Sequence, residues 1–130
     1  MQGSCECGAV RYEVSGSLRP VVGCHCSQCR KTSGHYVAAT QAEASDFTLI
    51  RDEGLRWYRS SLTAQRGFCN ICGSSLFWQE NETSHISIMA GTLDGATDLR
   101  MDRHIHAEAK GDYYDLPIGE LVDQSTLKFG

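Results

Sequence analysis

The sequence predicts a mainly β domain with little helix. Apolar residues alternate with polar ones at a period of two along short stretches. Turn residues, among them Gly54, Gly67, Asn81 and Gly95, separate these stretches at intervals typical of all-β domains. The chain of 130 residues shows no internal repeat or linker, and we therefore expect a single domain over residues 1–130.

The individual strands follow from the alternation, taken in chain order. Val10, Tyr12 and Val14 alternate with polar residues in AVRYEV, which predicts a half-buried strand. Further strands are expected in DFTLI, LRWYR, SLFWQ, HISIMAG and RHIHAEA. A turn or two of helix is expected only after Cys24 and in IGELVDQ near the end.

Composition narrows the possible partners and the compartment. The formal charge of -4 and the pI near 5.7 argue against a nucleic-acid or membrane-surface binder, because such partners select for a basic face. No apolar run approaches the ~20 residues that span a bilayer. The first ten residues lack the pattern of a secretory signal. Seven cysteines, an odd number in tight clusters, then predict reduced thiols held by metal in the cytoplasm.

The cysteines fall into three groups, and their arithmetic suggests two zinc ions. Structural zinc takes four protein ligands, whereas catalytic zinc takes three and keeps an open position. Seven divides as four plus three. The most economical partition closes one site and leaves the middle group, Cys24-x-Cys26-x-x-Cys29, as an open site. The closed site would contain Cys5, Cys7, Cys69 and Cys72.

Spacing alone leaves other partitions possible. Cys26 and Cys29 could join Cys69 and Cys72 in a zinc ribbon. A histidine could also close the second site, and the candidates are His25, His35, His104 and His106.

The cysteine blocks and their flanking residues resemble the glutathione-dependent formaldehyde-activating enzyme family, which also includes centromere protein V. The matching segments run in the family's order from Gly3 to about Lys110. They are GSCECGAVRYEV, CHCSQCRKTSG, RGFCNICGSSLFW and RHIHAEAK. This chain differs in the late block, where GDYY stands in place of a frequent tryptophan.

The resemblance implies a fold, an activity and a set of ligands. The fold is the β-tent, in which curved antiparallel sheets are pinned by a structural zinc. The activity is that of a carbon–sulfur lyase similar to S-(hydroxymethyl)glutathione synthase, and the substrates are glutathione and formaldehyde. The structural zinc ligands correspond to Cys5, Cys7, Cys69 and Cys72, and the catalytic zinc ligands to Cys24, Cys26 and Cys29.

The donor set favours thiol chemistry at the open site. Zinc with three thiolates carries a net charge of about -1, so it is suited to holding a substrate sulfur and less suited to making hydroxide. Glutathione carries two carboxylates, for which Arg30 and Lys31 are candidate partners, with Arg66 and Arg103 behind them. The same cations could instead simply offset the charge of the thiolates or be solvated.

The histidines near the end of the chain are candidate acid–base groups. If RHIHAEAK is a strand, His104, His106 and Glu108 share one polar face, which either lines the cleft or is exposed to solvent. The alternative to an enzyme is a zinc-stabilised binding module in which both ions are structural. The sequence gives no indication of the oligomeric state.

Overall fold

A computed structural model describes residues 1–116 and the backbone of residues 121–123. Its strands follow short alternating segments, as predicted, and one seven-residue helix follows the middle cysteine group. The strands are β1 (Gln2–Ser4), β2 (Val10–Val14), β3 (Val21–Cys24), β4 (Val37–Glu43), β5 (Phe47–Asp52), β6 (Leu55–Arg59), β7 (Ala64–Cys69), β8 (Ser75–Glu80), β9 (His85–Met89), β10 (Met101–Ile105) and β11 (Leu121–Asp123), and the helix is α1 (Ser27–Ser33). Short 3-10 turns cover Ala44–Asp46, Ala90–Thr92 and Ala107–Ala109.

The strands form two sheets. The small sheet has the order β1-β2-β5 and is antiparallel, and the large sheet has the order β11-β10-β3-β4-β9-β8-β7-β6. The mainly β fold class is therefore confirmed. The expectation of purely antiparallel sheets is wrong at one end of the large sheet. There β10 lies parallel to both β3 and β11, because it reaches β3 through a long connection and not through a hairpin.

The two sheets pack against each other through a shared apolar core. Val10, Tyr12 and Val14 of β2 are buried, as the alternation predicts, and they pack with residues of β8 and β9. The ring of Tyr12 makes an edge contact with Phe77, with centroids 5.3 Å apart. The Tyr12 hydroxyl also forms a 2.6 Å hydrogen bond with Oγ1 of Thr92. A second apolar cluster lies around α1 and contains the middle cysteines.

Four sequence expectations need correction. Gly67 lies inside β7 and not in a turn. An added Cβ there would come 3.0 Å from the Phe77 ring, so the glycine permits close packing within the sheet. The edge strands β5 and β6 expose apolar residues that alternation would bury, including Leu49 and Trp57, each 37% exposed. Residues 121–123 of IGELVDQ are strand and not helix, and the rest of that segment lies outside the described residues.

The fourth correction concerns RHIHAEAK. Strand β10 ends at Ile105, and His106 adopts a left-handed conformation with φ of 54°. A 3-10 turn over Ala107–Ala109 follows. The predicted strand face shared by His104, His106 and Glu108 is therefore not formed.

Candidate metal centres and substrate site

Two hairpin turns and the β5–β6 connection meet at a first cluster of sulfurs. Cys5 and Cys7 lie in the β1–β2 turn, whereas Cys69 ends β7 and Cys72 lies in the β7–β8 turn. The four Sγ atoms lie within 4.8 Å of one another, and we name this set the four-cysteine cluster. Gly54, in the β5–β6 turn, packs so closely that an added Cβ would come 2.6 Å from Sγ of Cys69.

The local backbone of the four-cysteine cluster is that of metal-binding knuckles. Gly8 and Gly73 each follow a cysteine and have φ of 83°, a conformation that glycine adopts without strain. The amide of Val10 donates to Sγ of Cys5 at 3.3 Å. A hydrogen bond from Ser74 lowers the pKa of Cys72 to about 5, with backbone donors contributing in the same direction. These contacts stabilise thiolate over thiol.

The sulfur separations fit a tetrahedral zinc ion. With Zn–S bonds of about 2.3 Å, tetrahedral geometry places sulfurs about 3.8 Å apart. In the four-cysteine cluster, Sγ of Cys7 lies 3.7 Å from that of Cys5 and 3.8 Å from that of Cys69. All seven cysteines lie in the described region, and none of them forms a disulfide. The cluster is therefore suited to hold a metal ion.

A second set of sulfurs surrounds the start of α1. Cys24 ends β3, Cys26 caps the helix, and Cys29 lies in its first turn. Their Sγ atoms also lie within 4.8 Å of one another, and we name them the three-cysteine cluster. The amide of Cys29 donates to Sγ of Cys26 at 3.3 Å, which fixes the capping side chain.

The two clusters share no residue. Cys26 and Cys29 therefore do not form the alternative zinc ribbon with Cys69 and Cys72. Within the described part of the chain, no histidine, aspartate or glutamate joins the three-cysteine cluster. A histidine-closed second site is thus not formed either.

Charge in the three-cysteine cluster concentrates on its most exposed sulfur. Hydrogen bonds from Cys24 and Cys29 lower the pKa of Cys26 to about 2. The same sharing, together with burial, raises the pKa of Cys24. Cys24 and Cys29 are buried, whereas Cys26 is half-buried. The cluster therefore presents negative charge at Cys26.

One buried cation contacts this cluster. Nη2 of Arg66 lies 3.5 Å from Sγ of Cys29, and the residue is only 9% exposed. The guanidinium also donates to Oε1 of Gln28 at 3.1 Å and to Oγ1 of Thr32 at 3.4 Å. The side chain of Arg66, which extends from β7, is thereby held against α1. From the sequence, Arg66 is only a secondary candidate for binding a substrate carboxylate, after Arg30 and Lys31. Its inward position, two residues after the buried Ala64, was the available signal.

Histidines and tyrosines form a cluster next to the three-cysteine motif. The histidine–tyrosine cluster consists of His25, His35, Tyr36, His104, Tyr113 and Tyr114. Nε2 of His25 lies 2.9 Å from Nδ1 of His104, and Nδ1 of His25 is hydrogen-bonded to the Tyr114 hydroxyl. Burial, followed by the neighbouring His104, lowers the pKa of His25 to about 4. The His25 ring is therefore neutral at pH 7.

The two candidate histidines of RHIHAEAK have different environments. His104 is 1% exposed and lies opposite Gly23 of β3, where an added Cβ would come 2.8 Å from Nδ1 of His104. His106 is partly exposed, and its Nδ1 lies 3.8 Å from Oε1 of Glu108. His104 therefore belongs to the histidine–tyrosine cluster, and His106 belongs to the following turn.

Of the candidate carboxylate-binding cations, Arg30 lines a different cavity from Arg66. Arg30 lines a cavity of about 510 Å³ together with Lys110 and Tyr113. Lys31 is exposed and does not line that cavity. Sequence reasoning missed Lys110, whose Nζ lies 4.9 Å from the centroid of the Tyr114 ring. Its place depends on a contact between distant parts of the chain, which local pattern does not reveal.

No helix among the described residues has both the length and the apolar character needed to cross a bilayer.

Comparisons with known proteins indicate the family of this chain. A sequence model of the family described as "Glutathione-dependent formaldehyde-activating enzyme" matches residues 1–109. A Halomonas elongata protein named "Putative glutathione-dependent formaldehyde-activating enzyme" is 29% identical over 130 aligned residues, covering 89% of this chain and 80% of that protein. A Schizosaccharomyces pombe protein named as an uncharacterized lyase is 27% identical over 116 residues, covering 88% of this chain and 83% of that protein.

A solved structure shares the fold. The crystal structure of a Rhodobacter sphaeroides protein, a structural genomics target, superposes with a TM-score of 0.61 and 26% sequence identity. The match covers 95% of this chain and all of that one. The family match spans both cysteine clusters and most of the described chain, and on that basis the chain belongs to the glutathione-dependent formaldehyde-activating enzyme family.

Proposed function

We propose that this chain is a zinc-dependent carbon–sulfur lyase or synthase. It joins or cleaves a glutathione-like thiol and a small aldehyde such as formaldehyde. The observation that carries the proposal is the difference between the two clusters. One brings together four sulfurs, whereas the other brings together three and gains no further histidine or carboxylate from the described residues. The family match and the names of the relatives support the same reaction.

The residues have distinct proposed roles. Cys5, Cys7, Cys69 and Cys72 would hold a structural zinc ion. Cys24, Cys26 and Cys29 would hold a second zinc ion beside an open position. Such an ion supplies a soft Lewis acid that favours the thiolate form of a substrate thiol.

The remaining residues of the site would manage charge and orientation. Arg66 offsets the negative charge of the three-cysteine cluster through its contact with Cys29. Arg30, Lys31 and the neighbouring Lys110 offer positive charge to the carboxylates of the thiol. The substrate sulfur then bonds to the carbonyl carbon, and the thiol proton ends on the new hydroxyl group.

The histidines act at a distance from the sulfurs in this proposal. His104 holds His25 through the 2.9 Å contact, and His25 lies between two of the cysteines in the chain. We therefore assign His104 a positioning role. The proposed role of His106 in proton transfer remains a prediction. A chemistry that needs reduced thiols also supports the proposed cytoplasmic location.

Zinc content and aldehyde exchange test the proposal together. We expect two zinc ions per purified chain by mass spectrometry of metals, one of which exchanges faster with a chelator. Glutathione should change the exchange rate of that ion only. Magnetisation-exchange NMR should show faster interconversion of formaldehyde with S-hydroxymethylglutathione in the presence of the protein. Two inert ions and no acceleration would instead support the binding module.

A further inference from the structure

A continuous cleft lies on the Thr32 face of α1. Two cavities, of about 330 Å³ and about 300 Å³, share five lining residues. The shared residues are Thr32, Val37, Gly73, Ser75 and Met89. Because the lining is common, the two cavities are parts of one space, which we name the apolar cleft. Each part is at the lower end of the size range of pockets for drug-sized ligands.

The lining of the 330 Å³ part of this cleft is apolar apart from a few hydroxyls and one cation, whereas the 300 Å³ part adds Ser33 and Tyr36 and is more polar. Val37, Phe68, Phe77 and Met89 supply aliphatic and aromatic surface. Within the described part of the chain, Arg66 is the single charged residue that lines either cavity. Its guanidinium already donates to Gln28, Thr32 and Cys29. The cleft therefore suits an apolar group and offers little to a ligand with several charges.

The cleft is connected to the three-cysteine cluster. Arg66 lines the cleft and contacts Sγ of Cys29 at 3.5 Å. Val37 and Met89 also line it, and both pack in the apolar cluster that contains the three cysteines. A ligand that reacts at the cysteines can therefore extend into this space.

The two proposed substrates do not account for the cleft. A water molecule, with one heavy atom, takes about 30 Å³ in the liquid. Formaldehyde has only two heavy atoms, so it would fill a small part of the cleft. Glutathione would bring two carboxylates and an ammonium group. Charge complementarity favours the other cavity beside α1 for such a thiol, because Arg30 and Lys110 line it for the carboxylates and Asp112 lines it for the ammonium group. The apolar cleft is left for the carbonyl partner.

We propose that the apolar cleft binds the hydrocarbon substituent of an aldehyde R–CHO, so that the chain prefers larger apolar aldehydes to formaldehyde. This inference rests on the proposed carbon–sulfur chemistry. The thiol sulfur bonds to the aldehyde carbon, the C=O double bond becomes a C–OH single bond, and the thiol proton moves to that oxygen. The product is the hemithioacetal, and no oxidant or reductant is needed.

Binding of unreactive product analogues tests the cleft directly. S-methylglutathione and S-hexylglutathione differ only in the apolar chain and cannot release an aldehyde. We expect the zinc-loaded full chain to bind the hexyl compound at least about tenfold more tightly in calorimetric titration. Magnetisation-exchange NMR should likewise show greater acceleration of hemithioacetal exchange for hexanal than for formaldehyde.

A matched pair of variants locates the binding. Ser75 is exposed and lines both cavities, so Ser75→Trp should fill the cleft and abolish the preference for the hexyl compound. Ser84 is equally exposed and lines neither cavity, so Ser84→Trp should retain the preference. If Ser75→Trp does not fold, the comparison of the two compounds on the unmodified chain still decides.

The outcomes separate this inference from the proposed function. Equal affinity for the two compounds, or a preference that Ser75→Trp leaves intact, would overturn the cleft assignment even where formaldehyde exchange is fast. A chain that prefers the hexyl compound but accelerates exchange of no aldehyde would overturn the proposed reaction instead.

Discussion

Nη2 of Arg66 lies 3.5 Å from Sγ of Cys29, inside the protein and beside a cluster that gathers negative charge. Hydrogen bonds to charged groups contribute about 1.5–3 kcal/mol. Arg66→Gln should therefore weaken binding of glutathione to the zinc-loaded protein by about tenfold or more. Arg66→Lys keeps the charge and should lose less. Calorimetric titration measures both.

The exposed Arg56 of the neighbouring strand β6 provides the control. Arg56→Gln removes the same charge at a position that is exposed to solvent, so it should leave glutathione affinity unchanged. Equal losses in Arg66→Gln and Arg66→Lys would show that charge is not what Arg66 contributes.

Two cysteine substitutions should separate the roles of the two clusters. Cys26 and Cys72 are both half-buried, so the replacement by serine is matched in burial. Cys72→Ser removes a ligand from the closed cluster and should abolish the cooperative thermal transition, because structural zinc sites supply much of the folding free energy of small domains. Cys26→Ser should abolish activity and keep the fold. Equal destabilisation in circular dichroism melts would contradict this division.

The close approach of Gly54 to the four-cysteine cluster predicts a stability effect at a residue that is not a ligand. An alanine methyl at Gly54 would come 2.6 Å from Sγ of Cys69 and must displace it. We expect Gly54→Ala to lower the free energy of unfolding by about 1–3 kcal/mol and to speed zinc release to a chelator. Gly91→Ala is the control, because nothing lies within 4 Å of its added Cβ. A similar stability for the two variants would sink the prediction.

The raised pKa of Tyr12 predicts that the protein loses stability at high pH. Burial raises its pKa to about 12, from an ordinary value of 10. Between pH 10 and pH 12 the folded chain therefore keeps a proton that the unfolded chain has lost. This contribution to stability is complete below pH 10 and is lost progressively as the pH rises to about 12. The two pKa values differ by enough to contribute about 2–3 kcal/mol.

Urea unfolding at pH 9 and pH 11 measures the effect of Tyr12. Tyr12→Phe should lower stability at pH 9, because it also removes the hydrogen bond to Thr92. It should then show a smaller further loss at pH 11 than the unmodified chain. Parallel losses in the two proteins would assign the alkaline instability to other groups.

Much of the fold could be predicted from sequence because its signals are local. The alternation of Val10, Tyr12 and Val14 predicts a strand with one buried face, and that is what forms. The turns at Cys7 and Cys72 are also local, because the glycine that follows each cysteine adopts φ of 83°. Family resemblance then selected one grouping of the cysteines among several that spacing allowed.

The remaining features depend on contacts between distant segments. Nothing local to RHIHAEAK indicates that His106 turns left-handed and ends the strand. The pairing of His104 with His25 joins residues 79 positions apart. The parallel contact of β10 with β3 and the burial of Arg66 against α1 likewise depend on the assembled sheet.

The meeting of two hairpin turns, one from each sheet, at the four-cysteine cluster has a consequence for turnover of the protein. Two of its sulfurs come from the small sheet and two from the large sheet, so a bound ion fastens the N-terminal strands to the rest of the chain. Removal of that ion should loosen this attachment and leave the shared apolar core to hold β1 and β2 to the large sheet. Proteases would then cut the N-terminal region before the large sheet. If zinc is the bound ion, as proposed above, its supply in the cell would then influence the half-life of this protein.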